Sequence, residues 1–164
     1  LQKKPLLFCE IINKYKEINQ NVTAVMIGDG ELRSEVEKYI EENNLDDNIT
    51  LMGFQKNPYQ FLKNTKLLLM PSEYEGFGLA AVESLSLGKP VVCSGAGGLK
   101  NVVTPECGLI CSDINDYIGE IQKLLTSREY YDQKSKNAKI RASQFGNMED
   151  YIQRIIDVYD KCLD

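Results

Sequence analysis

The sequence predicts an α/β fold, a parallel sheet layered with helices. Two observations carry this. Short apolar runs of strand length alternate with amphipathic stretches of helix length over most of the chain. The run at 66–70 is apolar without alternation, the pattern of a strand covered on both faces. Strand, helix, strand, helix in succession builds parallel βαβ units.

Taken in order, residues 5–18 place Leu6, Leu7, Ile11, Ile12, Tyr15 and Ile18 on one helical face, with Pro5 in the first turn, where a missing N–H costs nothing. Residues 22–27 form a strand that turns at Gly28-Asp29-Gly30. Residues 31–44 read as a charged surface helix with Leu32, Val36 and Ile40 inward. A second strand at 49–52 ends at Gly53, a short helix spans 58–63, and the third strand, 66–70, is closed by Pro71. Residues 79–87 form a helix ended by Gly88. A strand at 91–93, a short helix from about Gly98 and a strand at 108–111 follow. Three helices complete the chain, at 113–125, 128–144 and 148–163. The last carries Tyr151, Ile152, Ile155, Ile156, Val158 and Tyr159 on one side. There is no internal repeat, low-complexity segment or linker, so 1–164 reads as one domain, an α/β core through 126 and helices from 127 onward.

Composition narrows the function classes. At 164 residues, 43% hydrophobic and 26% charged, the chain is long enough for one compact core and too short for two ordinary domains. No apolar run approaches the ~20 residues that span a bilayer, and the first residues lack a signal-peptide succession. Nineteen basic against 24 acidic residues, a net charge of -5, argues against nucleic acid as a partner. A nucleotide needs only a local positive pocket. There is no histidine, which removes the commonest general base and metal ligand. Cys9, Cys93, Cys107, Cys111 and Cys162 are odd in number and read as reduced residues of a cytosolic protein. Cys107 and Cys111 are too far apart for a C-x-x-C pair, and no metal site is expected.

In open parallel sheets, ligands bind beyond the carboxyl ends of the strands. Three loops there are glycine-rich: Gly28-Asp29-Gly30, Gly76-Phe77-Gly78 and Gly95-Ala96-Gly97-Gly98. None is a Walker loop. None is a dinucleotide fingerprint, since Arg33 and Lys100 stand where the third glycine would be, and NAD-type binding is disfavoured. Each alone serves as a tight turn as readily as an anion cradle.

Residues 71–83, Pro-Ser-Glu-Tyr-Glu-Gly-Phe-Gly-Leu-Ala-Ala-Val-Glu, say more. Glu75 follows a central strand, and Glu83 lies in a helix that is apolar or small nearly all round and is therefore expected to be deeply packed. A carboxylate in such a setting costs several kcal/mol unless paired. Glu83 is thus either a structural partner for a cation or backbone group, or an acceptor for ligand hydroxyls. With Glu75 across the Gly-Phe-Gly loop, it is spaced to grip two parts of a polyhydroxylated ligand, with the helix N-terminus between them open to phosphate.

This segment resembles the Glu-x7-Glu signature of retaining glycosyltransferases of the GT-B fold, family 4 in particular, and departs from it only at Ser84, where the family has Ala. Similarity extends to Ile27-Gly28-Asp29-Gly30, Leu51-Met52-Gly53-Phe54, Gly88-Lys89-Pro90-Val91-Val92 and Gly97-Gly98, about residues 3 to 125 in all. The resemblance implies a Rossmann-like, nucleotide-sugar-binding C-terminal half of such an enzyme. It implies that Glu83 holds the ribose hydroxyls and Glu75 the donor sugar near the reaction centre. Gly76, Phe77, Gly78 and Leu79 then face sugar and diphosphate, and Gly28 and the loop of Phe54 and Lys56 border the nucleoside. The family also neutralises the diphosphate with Arg and Lys in a segment like Gly-Arg-x4-Lys-Gly. Lys3 fits that lysine best, Lys4 then standing in the glycine position, and Lys4 is the runner-up. The arginine would precede residue 1. Asn101 replaces a Glu the family often has after its second glycine pair.

The family's domain opens with a central strand, and this sequence starts after it. The resemblance therefore implies a sheet lacking its first strand, and a chain that by itself binds donor weakly and transfers nothing. The activity it implies is transfer of a glycosyl group from a UDP- or GDP-sugar, without cofactor or metal, to a glycan or lipid-linked glycan acceptor held by a separate N-terminal domain. That places the protein in polysaccharide or cell-envelope glycan synthesis. Its location would be the cytoplasm or the inner face of the membrane, with any peripheral membrane contact made through the other half. The alternatives are a non-catalytic nucleotide-sugar-binding regulatory module and a GT-B epimerase or phosphorylase.

Overall fold

A computed structural model describes residues 2–146, and among these the alternation resolves into seven helices and five strands. The order is α1 (Pro5–Lys16), β1 (Ala24–Met26), α2 (Arg33–Glu42), β2 (Ile49–Leu51), α3 (Tyr59–Leu62), β3 (Leu68–Met70), α4 (Leu79–Ser86), β4 (Val91–Ser94), α5 (Leu99–Val102), β5 (Gly108–Cys111), α6 (Ile114–Thr126) and α7 (Arg128–Ser143). The helix read at 148–163, with its apolar side, and Cys162 lie outside the described residues.

All strand pairs are parallel, as βαβ connections require. Among the described residues they form two sheets, β1-β2 and β3-β4-β5. Registers are Ala24 opposite Ile49, Leu68 opposite Val91 and Val91 opposite Gly108. One core lies where α1, α2 and α6 meet, built on Cys9, Ile11, Ile12, Tyr15, Val36, Ile40, Ile121 and Leu124, and residues of both sheets pack into it. A second core joins Ala81 and Leu85 of α4, Val91 and Cys93 of β4, Leu99 and Val102 of α5, and Ala138 and Ala142 of α7.

One expectation is corrected here. The unbroken apolar run at 66–70 reads as a strand covered on both faces, yet Leu68, Leu69 and Met70 are all half-buried, while Val91, Val92 and Cys93 of β4 are sealed. The difference is position: β3 has one hydrogen-bonded neighbour and β4 has two.

Local chemistry sets the helix limits. Asp113 caps α6 by accepting from the N–H groups of Asn115 and Asp116 at 2.7 and 3.1 Å. Ser127 caps α7 through Tyr130 N–H. Helix α4 ends in a Schellman turn, Lys89 N–H to Ser84 C=O and Gly88 N–H to Leu85 C=O, with Gly88 at φ 70. The Ser84 side chain, where the family pattern has alanine, is fully buried and donates to the Lys89 carbonyl at 3.2 Å, so its hydroxyl is satisfied inside that same turn.

Helix α7 crosses α4 on small residues. A side chain at Gly88 would come within 2.7 Å of Lys139 and 2.9 Å of Ser135. The same helix is pinned to β5 by a buried polar cluster. Lys134 donates to the carbonyls of Pro105 and Gly108 and lies 3.7 Å from Glu120, whose two oxygens accept from the Tyr130 hydroxyl at 2.8 and 3.0 Å. Burial first, and then that carboxylate, push Tyr130 up to about 12.

Four cysteines, Cys9, Cys93, Cys107 and Cys111, are buried free thiols. Burial raises Cys9 to about 11 and Cys93 and Cys111 to about 12. The folded chain therefore keeps protons that the unfolded chain releases. These thiols leave stability independent of pH below about pH 8 and erode it as pH rises from 9 towards 12, with Tyr130 adding to the loss above pH 10. Urea midpoints measured across that range should fall with pH, and should fall less steeply in Cys93→Ala; an equal slope in the variant would refute the assignment to this thiol.

Candidate functional site

The segment after β3 is the centre of the site. Pro71 ends the strand, and the chain runs through Ser72, Glu73, Tyr74 and Glu75 to Gly78, whose left-handed backbone (φ 83, ψ 48) turns directly into α4. Glu75 is buried to 8% exposure, so its carboxylate needs donors. It has two: the ammonium group of Lys3, and the Ser72 hydroxyl at 3.2 Å, both on Oε1. The lysine arrives from the solvent side, with its side chain 64% exposed against 9% for the glutamate side chain.

Lys3 is held there by backbone. The Gln2 carbonyl accepts from the N–H groups of Glu73 and Tyr74 at 2.8 and 3.3 Å, strapping the start of α1 to the loop. Lys4 has the left-handed conformation (φ 47, ψ 58) immediately before the helix and pairs only at the surface, 3.5 Å from Glu73. Glycine's backbone is thus required where the family pattern has glycine, and here a lysine supplies it at a cost.

The loop after β4 forms the other wall. Gly97 (φ 49) and Gly98 lie directly against the loop backbone: a Cβ at Gly97 would sit 1.8 Å from the Glu75 carbonyl oxygen, and one at Gly98 2.1 Å from that of Gly76. Gly98 N–H bonds to both carbonyls, at 3.2 and 2.9 Å. The Ser94 hydroxyl donates to the Ser72 carbonyl. In the sequence these glycines read as one more possible anion cradle; what they do in the fold is admit another backbone.

One group of the site differs from expectation. Glu83 is exposed, and so are Leu79, at 69%, and Ala80 and Ser86. Only Ala81, Ser84 and Leu85 of α4 are buried, so the helix is covered on one side and the Glu83 carboxylate carries no desolvation penalty. Phe77 is half exposed and meets the Phe145 ring edge-on at 5.8 Å. Arg141 stacks over Phe145 at 4.8 Å and donates to the carbonyls of Val102 and Asn101 at the end of α5. The last turn of α7 is thereby joined to the Gly-Phe-Gly loop.

A second group gathers after β1 and β2. Gly28 (φ 125) donates its N–H to the Gly53 carbonyl at 2.8 Å, bringing these two turns together. Phe54, 77% exposed, and Lys56, also exposed, follow. Arg33 lies beside them, 3.5 Å from where a Gly53 side chain would start, and bridges Asp29 at 3.2 Å and Glu37 at 2.8 Å. The hydrogen bond and charge of Glu37, with the charge of Asp29, hold its guanidinium above the usual value. In the sequence Arg33 registers only as a missing glycine, although its four-residue spacing to Asp29 and Glu37 was visible.

Among the described residues, no group of three or more Cys, Asp or Glu side chains is placed to hold a metal ion. A cavity of about 410 Å³ opens beside the loop, lined in part by Lys4, Ser72, Glu73, Ser94, Asp113 and Tyr117. Glu75, Phe77 and Glu83 do not line it. The geometry at Glu75, a buried carboxylate bridged to a solvent-facing cation beside an open helix N-terminus, suits a ligand that is both polyhydroxylated and anionic.

Comparison with known proteins gives a consistent result. A family model described as "Glycosyl transferases group 1" matches residues 1–141. An uncharacterised glycosyltransferase of Methanocaldococcus jannaschii is 30% identical over 159 residues, 94% of this chain and 44% of that protein. An Escherichia coli UDP-Gal:alpha-D-GlcNAc-diphosphoundecaprenol alpha-1,3-galactosyltransferase is 29% identical over 163 residues, 96% of this chain and 42% of that one. The crystal structure of Anabaena HepE in complex with UDP and glucose superposes with a TM-score of 0.85 at 22% identity, over 97% of this chain and 45% of that chain. The fold is therefore the Rossmann-like α/β fold of GT-B glycosyltransferases. The chain spans less than half the length of each of these proteins.

Two substitutions test this geometry. Gly97→Ala forces a methyl group onto the Glu75 carbonyl and should cost about 3 kcal/mol of stability, read from denaturant midpoints; a loss under about 1 kcal/mol would mean the two loops are not in contact. Lys4→Gly relieves the left-handed strain and should gain about 0.5 kcal/mol after the added flexibility of the unfolded chain. A net loss would show that the surface pair with Glu73 outweighs the strain.

Proposed function

The chain belongs to the glycosyl transferases group 1 family, and from that premise we propose that it is the donor-binding part of a retaining glycosyltransferase. The observation that carries the proposal is the meeting of Lys3 and Glu75 at the mouth of the Gly-Phe-Gly loop, where α4 begins. A nucleoside-diphosphate sugar offers a dianionic bridge between two sets of hydroxyls. The N–H groups of Phe77 and Gly78 have no acceptor among the described residues and stand before the first turn of α4, where an anion is favoured. In this reading they receive the diphosphate together with Leu79 N–H and Lys3.

Leaving-group stabilisation is then the main catalytic task. As the bond from the anomeric carbon to the diphosphate oxygen breaks, that oxygen takes the electron pair, and fixed N–H dipoles and the lysine hold the charge. An ammonium group has three donors, so Lys3 can keep Glu75 while it binds phosphate. Glu75 accepts from a hydroxyl of the transferred sugar. Glu83, exposed and ionisable one turn into α4, accepts from the ribose hydroxyls. Gly28, Phe54 and Lys56 border the base, with Arg33 beside them. This assignment gives the charge of the leaving group to protein donors and calls for neither cofactor nor metal.

The acceptor, a glycan or lipid-linked glycan, is assigned to the part of the protein beyond this chain. The E. coli relative's name supports an acceptor of that class, and the UDP in that name and in the HepE structure supports a nucleoside-diphosphate sugar, a UDP- or GDP-sugar, as donor. Such a role is cytoplasmic, at the membrane face where lipid-linked glycans are built. No helix among the described residues is long and apolar enough to cross a membrane.

Isothermal titration with UDP-, GDP- and ADP-sugars is the direct test: one of them should bind, and none binding would end the proposal. Glu83→Gln should weaken that binding by about 1–3 kcal/mol by losing a charged acceptor, with unchanged affinity excluding the ribose role. Lys3→Ala should weaken the nucleoside diphosphate and leave the free nucleoside unaffected. Equal losses for both would place the lysine elsewhere.

A further inference from the structure

We infer that Ser72 is a positioning residue, one that fixes the Glu75 carboxylate so that its second oxygen faces the donor sugar; this rests on the function proposed above. Lys3 and Ser72 both donate to Oε1, and Oε2 has no partner among the described residues. No buried side-chain oxygen or nitrogen lacks a hydrogen bond among those residues, so an unpartnered Oε2 is one that solvent, and hence a ligand hydroxyl, can reach. The carboxylate is thus held by one oxygen and offers the other.

The two donors differ in permanence. Lys3 is mostly exposed, on a long flexible side chain, and is the group a diphosphate would recruit. Ser72 is 3% exposed, three residues from Glu75, and reaches the carboxylate from the protein side. When the ammonium group shares itself with phosphate, Ser72 is the contact that keeps Oε1 in place. A carboxylate that swings about its side-chain torsions would lose the alignment on which effective catalysis depends.

Ser72 is itself fixed from behind. Its carbonyl accepts from the Ser94 hydroxyl at the end of β4. An element outside the loop, β4, therefore holds the backbone of this serine. A solvated loop serine needs no such support, whereas a short side chain that must place an oxygen within a few tenths of an ångström does.

The test is kinetic, on the full-length protein. Ser72→Ala should lower kcat roughly tenfold and leave the donor KM within about twofold, because ground-state binding rests mainly on the diphosphate and ribose contacts. In a Glu75→Gln background the same change should cost less than about twofold, since the serine acts only through that carboxylate. Ser94→Ala, which removes the bond to the Ser72 carbonyl, should show the same split at smaller size, about two- to threefold in kcat, and it carries the comparison if Ser72→Ala fails to fold. Wild-type kcat in both variants, or the same fold-loss with and without the Glu75 carboxylate, would overturn the inference and leave the proposed function standing. An unaltered protein that neither binds nor transfers from any nucleotide sugar would remove both.

Discussion

The site depends on one close approach of backbone to backbone. Gly97 and Gly98, after β4, lie so near the Glu75 and Gly76 carbonyls that no side chain fits between them. Gly98 N–H bonds to both carbonyls. From that contact follow the path of the loop, the direction of the Glu75 side chain and the start of α4. Hydrogen bonds of this kind are worth little net stability each, but together with the Gln2 strap and the Ser94 hydroxyl they hold an irregular segment in one path. The constraint is steric first and energetic second.

The two carboxylates of the motif are placed by opposite means. Glu75 is buried and gripped, with a hydroxyl behind it and a lysine in front. Glu83 is exposed on the uncovered side of α4. A group that must keep a fixed geometry near reacting atoms belongs among donors within the protein. In the proposed role, a carboxylate that only accepts from hydroxyls of a bound ligand can wait in water, its desolvation deferred until the ligand arrives. The sequence shows two glutamates eight residues apart and nothing of this difference.

Much of the fold was legible because its signals are local. Pro5 marks the start of α1, Asp113 caps α6, Gly88 closes α4, and apolar periodicity places the elements between them within a few residues. What was not legible is relational. The apolar composition of α4 says that it packs, but not that α7 and α5 cover one side and leave Leu79 and Glu83 open. The run at β3 says that it is a strand, but not that it has a single neighbour. Glycine at 97 and 98 says that a side chain is unwelcome without naming the carbonyls, some twenty residues earlier, that exclude it. Lys3 had no signal of its own near the start of the sequence and stood out only through the resemblance. Its contact with Glu75 spans 72 positions.

The aromatic contact between Phe77 and Phe145 gives the end of α7 a second role. Helix ends fray first when a protein is warmed, and here the fraying end carries a ring that rests on the ligand loop and an arginine that caps α5. Loosening the last turn of α7 would remove the ring contact on Phe77 and the bonds to the end of α5 together. Order in the last turn of α7 and order in the Gly-Phe-Gly loop are thus coupled through one pair of rings.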